Sequence, residues 1–498
     1  MNRLYNNLFD TKRLLLFIGL ALVVFIISLY NRYIYIDDAW FGEQAYWFLK
    51  NGFVKVQTIP GFHGWDEHLL VYHKLSIIIG ALLIKVFGWS ANTLRIFSLI
   101  IYLLSFIVLS RFFKNNRDTF SSKHFVLAAF IVFFNPLTLL YSYTYRPETL
   151  VSLLGFSSFI YLDLFLIKSP KSKYLIFAGL LAGLAFFTHL NGMIFGIAGF
   201  FVLVLMKKPV PAFIFGIFTV ITASFYFYDL WQPGNFQLFL SQIDHWPDPN
   251  ASNYAAGGFW DLLIRIIGKI GNEHQRFFWS YKVWAVSSLF VLALILKWRK
   301  VIKIKRHLLL YLLLLILSLN IFGSQIAERF LIYFFPYMAI IISVLLFDLK
   351  NAARGRVQGM VISLLLLQFV CVGIMFNDIF SQNDNYTDQH KEIMLMVPDR
   401  ASPVLVNYRT VFNELENHQL ITYKGFEYHQ VELGRKMRQN EFLQRASNFG
   451  IKSIIIPYEM LSGSDSRFPC LMDGEIEENP WFEMYYSVPG YRILKAKE

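Results

Sequence analysis

Charge is scarce in this chain. Of its 498 residues, 16% are Asp, Glu, Lys or Arg, against about 25% in an average soluble domain. Cysteine is nearly absent. The two present, Cys371 and Cys470, fall in an apolar run and in the C-terminal tail, so no disulfide framework is expected and the redox compartment is not encoded. No P-loop, no Gly-x-Gly-x-x-Gly opening a helix and no nucleophile elbow occurs, so nucleotide hydrolysis and serine-hydrolase chemistry find no support. No internal repeat relates the two halves, which weighs against common transporter architectures. Metal-ligand spacing is missing too: His68 and His73 are five apart, poor for one helical face. The first apolar run is long and lacks a small-residue cleavage site, so a cleaved signal peptide is not expected.

What abounds is apolar. The chain is 56% hydrophobic with 51 Phe and has a mean hydropathy of +0.45. A helix crossing a bilayer needs about 20 predominantly apolar residues. Candidate spans are 14–30, 93–110, 124–140, 149–167, 174–188, 191–206, 211–228, 283–296, 307–323, 330–347 and 358–376, about eleven in all. Every second connection is basic. Arg3, Lys12 and Arg13 precede the first span; Arg111, Lys114, Arg117 and Lys123 follow the second; Lys168, Lys171 and Lys173 follow the fourth. Lys207 and Lys208, the basic segment 297–306, and Lys350, Arg354 and Arg356 complete the series. The positive-inside rule then puts the N-terminus in the cytoplasm and the C-terminus outside. The same rule accounts for the net charge of +12, so nucleic acid is not expected as a partner. The least certain junction joins 174–188 to 191–206 through His189-Leu190 alone; a single kinked helix there would invert everything downstream.

Two outer connections are long. Residues 31–92 hold a carboxylate pair and a partly apolar, interfacial stretch, Leu75 to Phe87. Residues 229–282 hold Trp231, Trp246, Trp260 and Trp279, as helices lying in the interface plane do. Polar composition takes over at 377–498. Val404 to Val406 and Ile454 to Ile456 read as buried strands, Glu432 to Asn448 as helix, and 485–488 with 491–494 as a hairpin around Pro489-Gly490. The expected architecture is therefore a mostly α polytopic membrane domain, 1–376, followed by a small α/β extracytoplasmic domain, 377–498.

The residues that can carry chemistry sit at the outer ends of spans. Asp37 and Asp38 follow the first span. Charge is expensive at a bilayer and marks functional suspects. Adjacent side chains diverge, so one can face a cavity while the other braces the chain. A carboxylate in a partly desolvated cleft gains basicity and can accept a proton from an attacking hydroxyl; a solvated helix end is the plain alternative. His63, Trp65, Asp66, Glu67, His68, His73 and Lys74 form a polar cluster that lines a cavity or faces water. Arg146 and Glu148 open the fourth span, as an ion pair or an anion contact. His189 lies between two spans as a structural hydrogen-bonder or a ligand group. Glu328-Arg329 precedes the tenth span, with Tyr333 and Pro336 after it. The planar fork of Arg suits phosphate, and a fixed cation stabilises charge developing on a leaving phosphate; a snorkelling anchor is the alternative.

These motifs together suggest a family. Asp37-Asp38-Ala39-Trp40-Phe41-Gly42 after the first span resembles the Asp-Glu motif of protein O-mannosyltransferases and of bacterial aminoarabinose transferases of lipid A, enzymes of the GT-C fold. Tyr145-Arg146-Pro147-Glu148 resembles their Arg-Pro-Glu stretch. Glu328-Arg329-Phe330-Leu331 through Pro336 resembles their late Arg-Tyr and Pro segment. The resemblance covers roughly 1–376. It implies a polyprenyl-phosphate-linked sugar as donor and Asp37 as the base. Asp38 stands where relatives usually have Glu, and Glu67-His68-Leu69-Leu70 stands where they often have Pro-Pro.

The expected function is transfer of a sugar, with inversion, from polyprenyl phosphate to a hydroxyl of a glycolipid, glycan or protein acceptor at the outer face of a bacterial plasma membrane. Asp37 and Asp38 form the catalytic pair. Arg329, Arg146 and His189 are expected to bind the donor phosphate, and Glu148, Glu67, His68 and Tyr333 to support them. No cofactor or metal is required by that chemistry, and a divalent cation is compatible with it. The competing class is a transporter or flippase that moves a lipid-linked sugar without chemistry.

Overall fold

The computed structural model describes residues 11–30, 32–247, 259–323, 325–350, 355–381, 386–457, 467–471, 478–488 and 490–497. Arg3, Arg354 and Pro489 of the sequence reading lie outside them. The chain opens with an apolar helix, α1 (Thr11–Tyr30), followed by α2 (Ile36–Asn51) and α3 (Lys74–Phe87). Then come α4 (Ala91–Asn115), α5 (Ser122–Phe133), the short α6 (Pro136–Tyr141) and α7 (Pro147–Ile167). The body continues with α8 (Ser172–Thr188), α9 (Met193–Leu205) and α10 (Pro209–Ala223). Helices α11 (Asn235–Asp244) and α12 (Phe259–Phe278) occupy the second long connection. Last in the body are α13 (Tyr281–Phe322), α14 (Phe335–Lys350) and α15 (Gly355–Ser381).

Each expected span falls on helix, with local corrections. The carboxylate pair opens a helix rather than a loop. The Tyr35 N–H donates to Asp38 Oδ2 (3.1 Å), so the acid caps an N-terminus whose dipole favours it. The expected span 124–140 is broken at Asn135, whose side chain accepts from the Leu137 N–H (2.9 Å) and starts α6 with Pro136 in its first turn. Segments 283–296 and 307–323 lie on two helices that meet end to end at a kink, where Lys305 leaves helical geometry (φ −148°, ψ 66°) within α13. Segment 330–347 begins as a 3₁₀ turn, Glu328–Tyr333, before α14. α8 and α9 are separate and reverse direction through the 3₁₀ turn Leu190–Gly192. A Cβ on Gly192 would stand 2.1 Å from the Ala185 carbonyl oxygen, so only glycine closes that turn.

Among the described residues, four helices are long and apolar enough to cross a membrane: Ala91–Asn115, Pro147–Ile167, Pro209–Phe227 and Gly355–Ser381. Five shorter apolar helices accompany them: Leu15–Tyr30, Ser122–Phe133, Ser172–Thr188, Leu190–Leu205 and Phe335–Asp348. Leu16, Ile26, Phe213, Val220 and Leu366 are exposed along α1, α10 and α15. Exposed apolar residues this numerous mark a lipid-facing belt. Glycines draw helices close inside it. A Cβ on Gly179 or Gly183 of α8 would stand 2.5 Å from the Phe215 or Thr219 carbonyl oxygen of α10, the small-xxx-small packing of membrane helices.

The C-terminal segment builds α16 (Tyr386–Leu395) and a five-stranded sheet in the order β2-β1-β3-β5-β4. Its strands are β1 (Val404–Val406), β2 (Leu420–Thr422), β3 (Ser453–Pro457), β4 (Phe482–Val488) and β5 (Tyr491–Ala496). β2, β1 and β3 run parallel, and β5 runs antiparallel to β3 and β4. The helices are α17 (Val411–Glu414), α18 (Tyr423–Leu433) and α19 (Gln439–Asn448). The expected continuous helix 432–448 is two pieces, because Gly434 adopts φ +65° and stops α18. Side chains alternate across the sheet. Leu405, Ile454 and Leu494 face α18 and α19, whereas Val404, Val406, Ile455 and Ile493 join a core with Trp40, Phe41, Val56 and Trp65. The C-terminal domain therefore shares a core with the connection 31–92.

At the end of the body opposite α2, the charges form a pin. Asp163 of α7 accepts from Lys305 Nζ (2.7 Å), pairs with His307 Nε2 (2.6 Å) and accepts from Asn116 Nδ2 (2.9 Å), all buried. Lys305 leaves helical geometry where it reaches this acid. Removing one partner of a buried ion pair costs about 3–5 kcal/mol because the other charge is stranded. Asp163→Ala is expected to lower the melting temperature in detergent by several degrees, and Asp163→Leu with Lys305→Met to recover most of the loss, read by thermal unfolding.

Candidate active site

Helix α2 places its two aspartates in different surroundings. At 100° per residue, Asp37 and Phe41 share one face, Asp38 and Gly42 a second, and Trp40, Glu43 and Trp47 a third. Nine consecutive residues, Asp38 to Tyr46, are buried, so all three faces are covered. Asp38 is fully enclosed. Its Oδ2 accepts from Arg95 Nη2 (2.7 Å) and Nε (3.1 Å), and its Oδ1 from the Tyr145 N–H (2.6 Å). Arg95 in turn donates to the Arg32 carbonyl (3.2 Å). Asp38 thus fastens α2 to α4 and to the entry of α7. A capped, saturated carboxylate braces; it has no acceptor position left for a substrate proton.

Asp37, by contrast, is 44% exposed in its side chain. It pairs with Arg146 Nη1. Arg146 donates to Glu148 through Nη2 (2.7 Å) and Nε (3.1 Å), a two-pronged contact. Arg329 Nε lies 3.4 Å from Glu148 Oε1, at ion-pair distance, and its Nη2 donates to Gln325. The result is one chain of charges, Asp37–Arg146–Glu148–Arg329, linking α2, α7 and the turn before α14. Phe41 and Tyr141 rings lie 5.8 and 5.5 Å from the Arg146 guanidinium carbon.

His189 stacks on His73 (4.3 Å, 12°) beside this chain, and His73 meets Phe41 at 4.9 Å. Phe330 collects the cations on the far side: Arg329 lies 4.8 Å and Arg276 of α12 5.7 Å from its ring. Arg276 is buried and donates to Glu273 through Nε (2.8 Å). Among the described residues, Arg276 Nη1, Arg329 Nε and Tyr333 Oη are buried without a hydrogen-bond partner. Three unfulfilled donors around one ring are the groups an anion would satisfy. A small apolar cavity is lined by Thr149, Ser152, Phe156, Ile332, Phe335 and Pro336 among others. Its lining includes Thr149 and Ile332, the chain neighbours of Glu148 and Tyr333, and none of Asp37, Arg146, Glu148 or Arg329.

Two residues of the sequence reading fall outside the chain. Glu67 is exposed, and His68 meets Phe53 at a tilt (5.1 Å, 57°) while its carbonyl accepts from Gln242 Nε2 (2.7 Å). They shape the connection 52–73 and do not reach Asp37's ion pair. Among the described residues no three His, Cys, Asp or Glu side chains gather as a metal cluster.

Several groups escaped the sequence reading. Arg95 lies two residues inside an apolar run, and only its pairing with Asp38 explains it. Lys74 pairs with Asp229 within an enclosure of Tyr72, Tyr226 and Tyr228 rings (4.8, 5.0 and 5.0 Å), tying the two long outer connections together. Burial lowers the Lys74 amine to about 8 against the pull of Asp229. Glu43 is buried. Its Oε1 accepts from the Thr58 N–H (3.0 Å) and Trp47 Nε1 (3.3 Å), and its Oε2 from Thr58 Oγ1 (2.6 Å) and the Tyr408 hydroxyl. Burial raises the Glu43 carboxyl from its ordinary value, and these donors oppose the rise. A sequence that assigns 31–92 to loop gives no signal for Glu43.

Comparison with known proteins bears out the resemblance read from the motifs. Residues 76–228 match the model of the family described as dolichyl-phosphate-mannose-protein mannosyltransferase. That stretch contains Arg146, Glu148 and His189 and leaves out Asp37 and Arg329. No curated protein matches the sequence. Among solved structures, the chain is similar to ArnT from Cupriavidus metallidurans bound to undecaprenyl phosphate, at 12% identity and TM-score 0.59 over 97% of this chain and 98% of that one. The apo state of the same ArnT aligns at TM-score 0.60. It is also similar to the archaeal oligosaccharyltransferase AglB from Archaeoglobus fulgidus in complex with an inhibitory peptide and a dolichol-phosphate, at 13% identity and TM-score 0.57 over 96% and 74%. The GT-C fold expected from the motifs is the fold observed.

The stacked histidines set a pH response. Burial is the main cause that holds His73 well below its ordinary value, with His189 adding to it. Burial likewise lowers His189 to about 4, opposed by Glu148 and reinforced by Arg329 and Arg146. In the unfolded chain both titrate near 6.5. The unfolded state therefore binds more protons between about 6.5 and 4, so stability is full above that window and lost as pH falls through it. The melting temperature is expected to fall on acidification from pH 6.5 to 4, and His189→Gln to flatten that slope, measured by pH-dependent thermal unfolding.

Proposed function

We propose that this chain is a membrane glycosyltransferase that moves a sugar from a polyprenyl-phosphate donor to an acceptor hydroxyl at the outer membrane face. The observation that carries this reading is the charge chain from exposed Asp37 to Arg329, with three unfulfilled donors at its Arg329 end. The cavity suits the lipid tail. Arg329, Arg276 and Tyr333 suit the phosphate, and Arg146 keeps Asp37 beside them. In the reaction, Asp37 takes the proton of the acceptor hydroxyl. The freed oxygen forms a bond to the anomeric carbon from the side opposite the phosphate. The anomeric C–O bond breaks, its electron pair leaves with the phosphate, and the configuration inverts. The arginines stabilise charge as it develops on the leaving group. Cationic side chains serve the monophosphate without requiring a metal, and a divalent cation would act beside them on the same oxygens. The undecaprenyl phosphate and dolichol-phosphate named for ArnT and AglB support this donor class.

The same reading assigns the membrane arrangement. The basic segments gather at one end of the body, where Lys297 and Lys300 pair with Asp348 and Lys305 with Asp163. The carboxylates of α2 lie at the other. The positive-inside rule makes the first end cytoplasmic. About eleven crossings then leave α2, α3, α11, α12 and the C-terminal domain outside, in a bacterial plasma membrane. Acceptors in that setting are glycolipids, glycans or proteins.

Transfer of radiolabelled sugar from polyprenyl phosphate in proteoliposomes tests the proposal. Loss of a general base costs about 10²–10⁴ in rate, so Asp37→Asn is expected to lower kcat by that range with the fold intact. Arg329→Ala is expected to weaken donor binding as well. Full transfer by Asp37→Asn removes the assigned base, and movement of the lipid-linked sugar without transfer turns the reading into a transporter.

A further inference from the structure

We infer that the C-terminal domain sets the position of the catalytic aspartate, with Glu43 and Tyr408 as positioning residues that act through α2. The inference rests on the proposed role of Asp37 and goes beyond it by giving the outer domain a task in the reaction.

The geometry is specific. The third face of α2 turns Glu43 toward Tyr408, in the 3₁₀ turn Tyr408–Thr410 that follows β1. The Tyr408 hydroxyl and Thr58 Oγ1 both donate to Glu43 Oε2, and Thr58 Oγ1 lies 3.2 Å from the Tyr408 hydroxyl. One buried carboxylate is thus shared by the helix, the connection 52–73 and the C-terminal domain. Neighbouring contacts keep the domain docked without that carboxylate. The Thr422 N–H donates to the Thr58 carbonyl (2.9 Å), extending β2 toward the connection. Phe412 of α17 covers Gly42 so closely that a Cβ there would stand 2.5 Å from the ring. Trp40 meets Tyr408 at 5.9 Å and Tyr428 at 6.2 Å. Tyr428 is near enough that the charge of Asp37 acts on its hydroxyl.

Asp37 itself has little holding it. It is the exposed member of the pair, held among the described residues by its ion pair with Arg146. Its direction is set by the rotation of α2. Asp38 fixes that rotation on the side of α4, and Glu43 fixes it one and a half turns later on the opposite side. With both attached, α2 can neither roll nor slide. With Glu43 released, rotation is restrained at one point. A misplacement of about 1 Å in a reacting group can cost on the order of 10²-fold in rate. A positioning role therefore acts on kcat and leaves donor affinity, which belongs to Arg329 and Arg276, unchanged.

The test uses the full chain in proteoliposomes with a polyprenyl-phosphate sugar. Tyr408→Phe, Glu43→Gln and the double variant are compared with Asp37→Asn. Each single variant is expected to lose about tenfold or more in kcat with KM for the donor within twofold. The double variant is expected to lose no more than the worse single, because both act through one contact. Hydrogen exchange is expected to quicken in the peptide carrying 36–43 and to stay unchanged in the peptide carrying 147–160. This second readout holds even where a variant is poorly active. Wild-type kcat in Tyr408→Phe and Glu43→Gln beside an inactive Asp37→Asn overturns the inference while leaving the base in place. Additive losses in the double variant, or unaltered exchange at 36–43, overturn it as well. An active Asp37→Asn removes the base reading instead.

Discussion

Helix α2 is buried from Asp38 to Tyr46, and the half of the molecule around it depends on that enclosure. It carries three carboxylates within seven residues, Asp37, Asp38 and Glu43. Taking an ion out of water costs several kcal/mol unless it is paired and hydrogen-bonded. Each buried acid has therefore drawn a different part of the chain onto the helix. Asp38 draws α4 through Arg95 and the start of α7 through the Tyr145 amide. Glu43 draws the connection 52–73 and the C-terminal domain. Only Asp37 retains exposure, with Arg146 as its ion-pair partner. The two buried acids hold the fold so that the third remains available.

The division continues beyond α2. Glu148 is shared by two arginines, and the second, Arg329, keeps a buried Nε without a hydrogen bond. Arg276 comes in from α12 and keeps a buried Nη1 without one. These donors surround Phe330, and the lining of an apolar cavity begins at Thr149 and Ile332, one residue along the chain from Glu148 and Tyr333. A phosphate with a polyprenyl tail has that same division. The pin of Asp163, Lys305 and His307 is the counterpart at the other end. There the charges are paired with one another, and the arrangement fixes the break in α13.

The sequence was legible where a single physical signal dominated. Long apolar runs located the helices of the body. Charges at span ends picked out Asp37, Arg146, Glu148 and Arg329, because charge is costly there and needs a reason. The chain hid what depends on tertiary enclosure. α2 has no apolar stripe, since it is buried all round and its charges are paired, so it read as a loop and Glu43 went unnoticed. Arg95 passed as part of a span because one charge barely changes a hydropathy window. Glu67 and His68 drew attention by composition, and nothing local reveals that they turn away. β2 is three residues long and exists because Val404 to Val406 offer it a parallel edge. Gly434 stops α18 inside the stretch read as one helix, Glu432 to Asn448.

The most direct measurement is the structure of the protein in a nanodisc with undecaprenyl phosphate added. The account predicts phosphate density within hydrogen-bonding distance of Arg329 and at least one of Arg276 Nη1 and the Tyr333 hydroxyl. The first isoprene units should enter the cavity lined by Thr149, Ser152 and Ile332, with Asp37 facing the same chamber. Phosphate bound elsewhere, with packed protein between it and Asp37, would contradict the account.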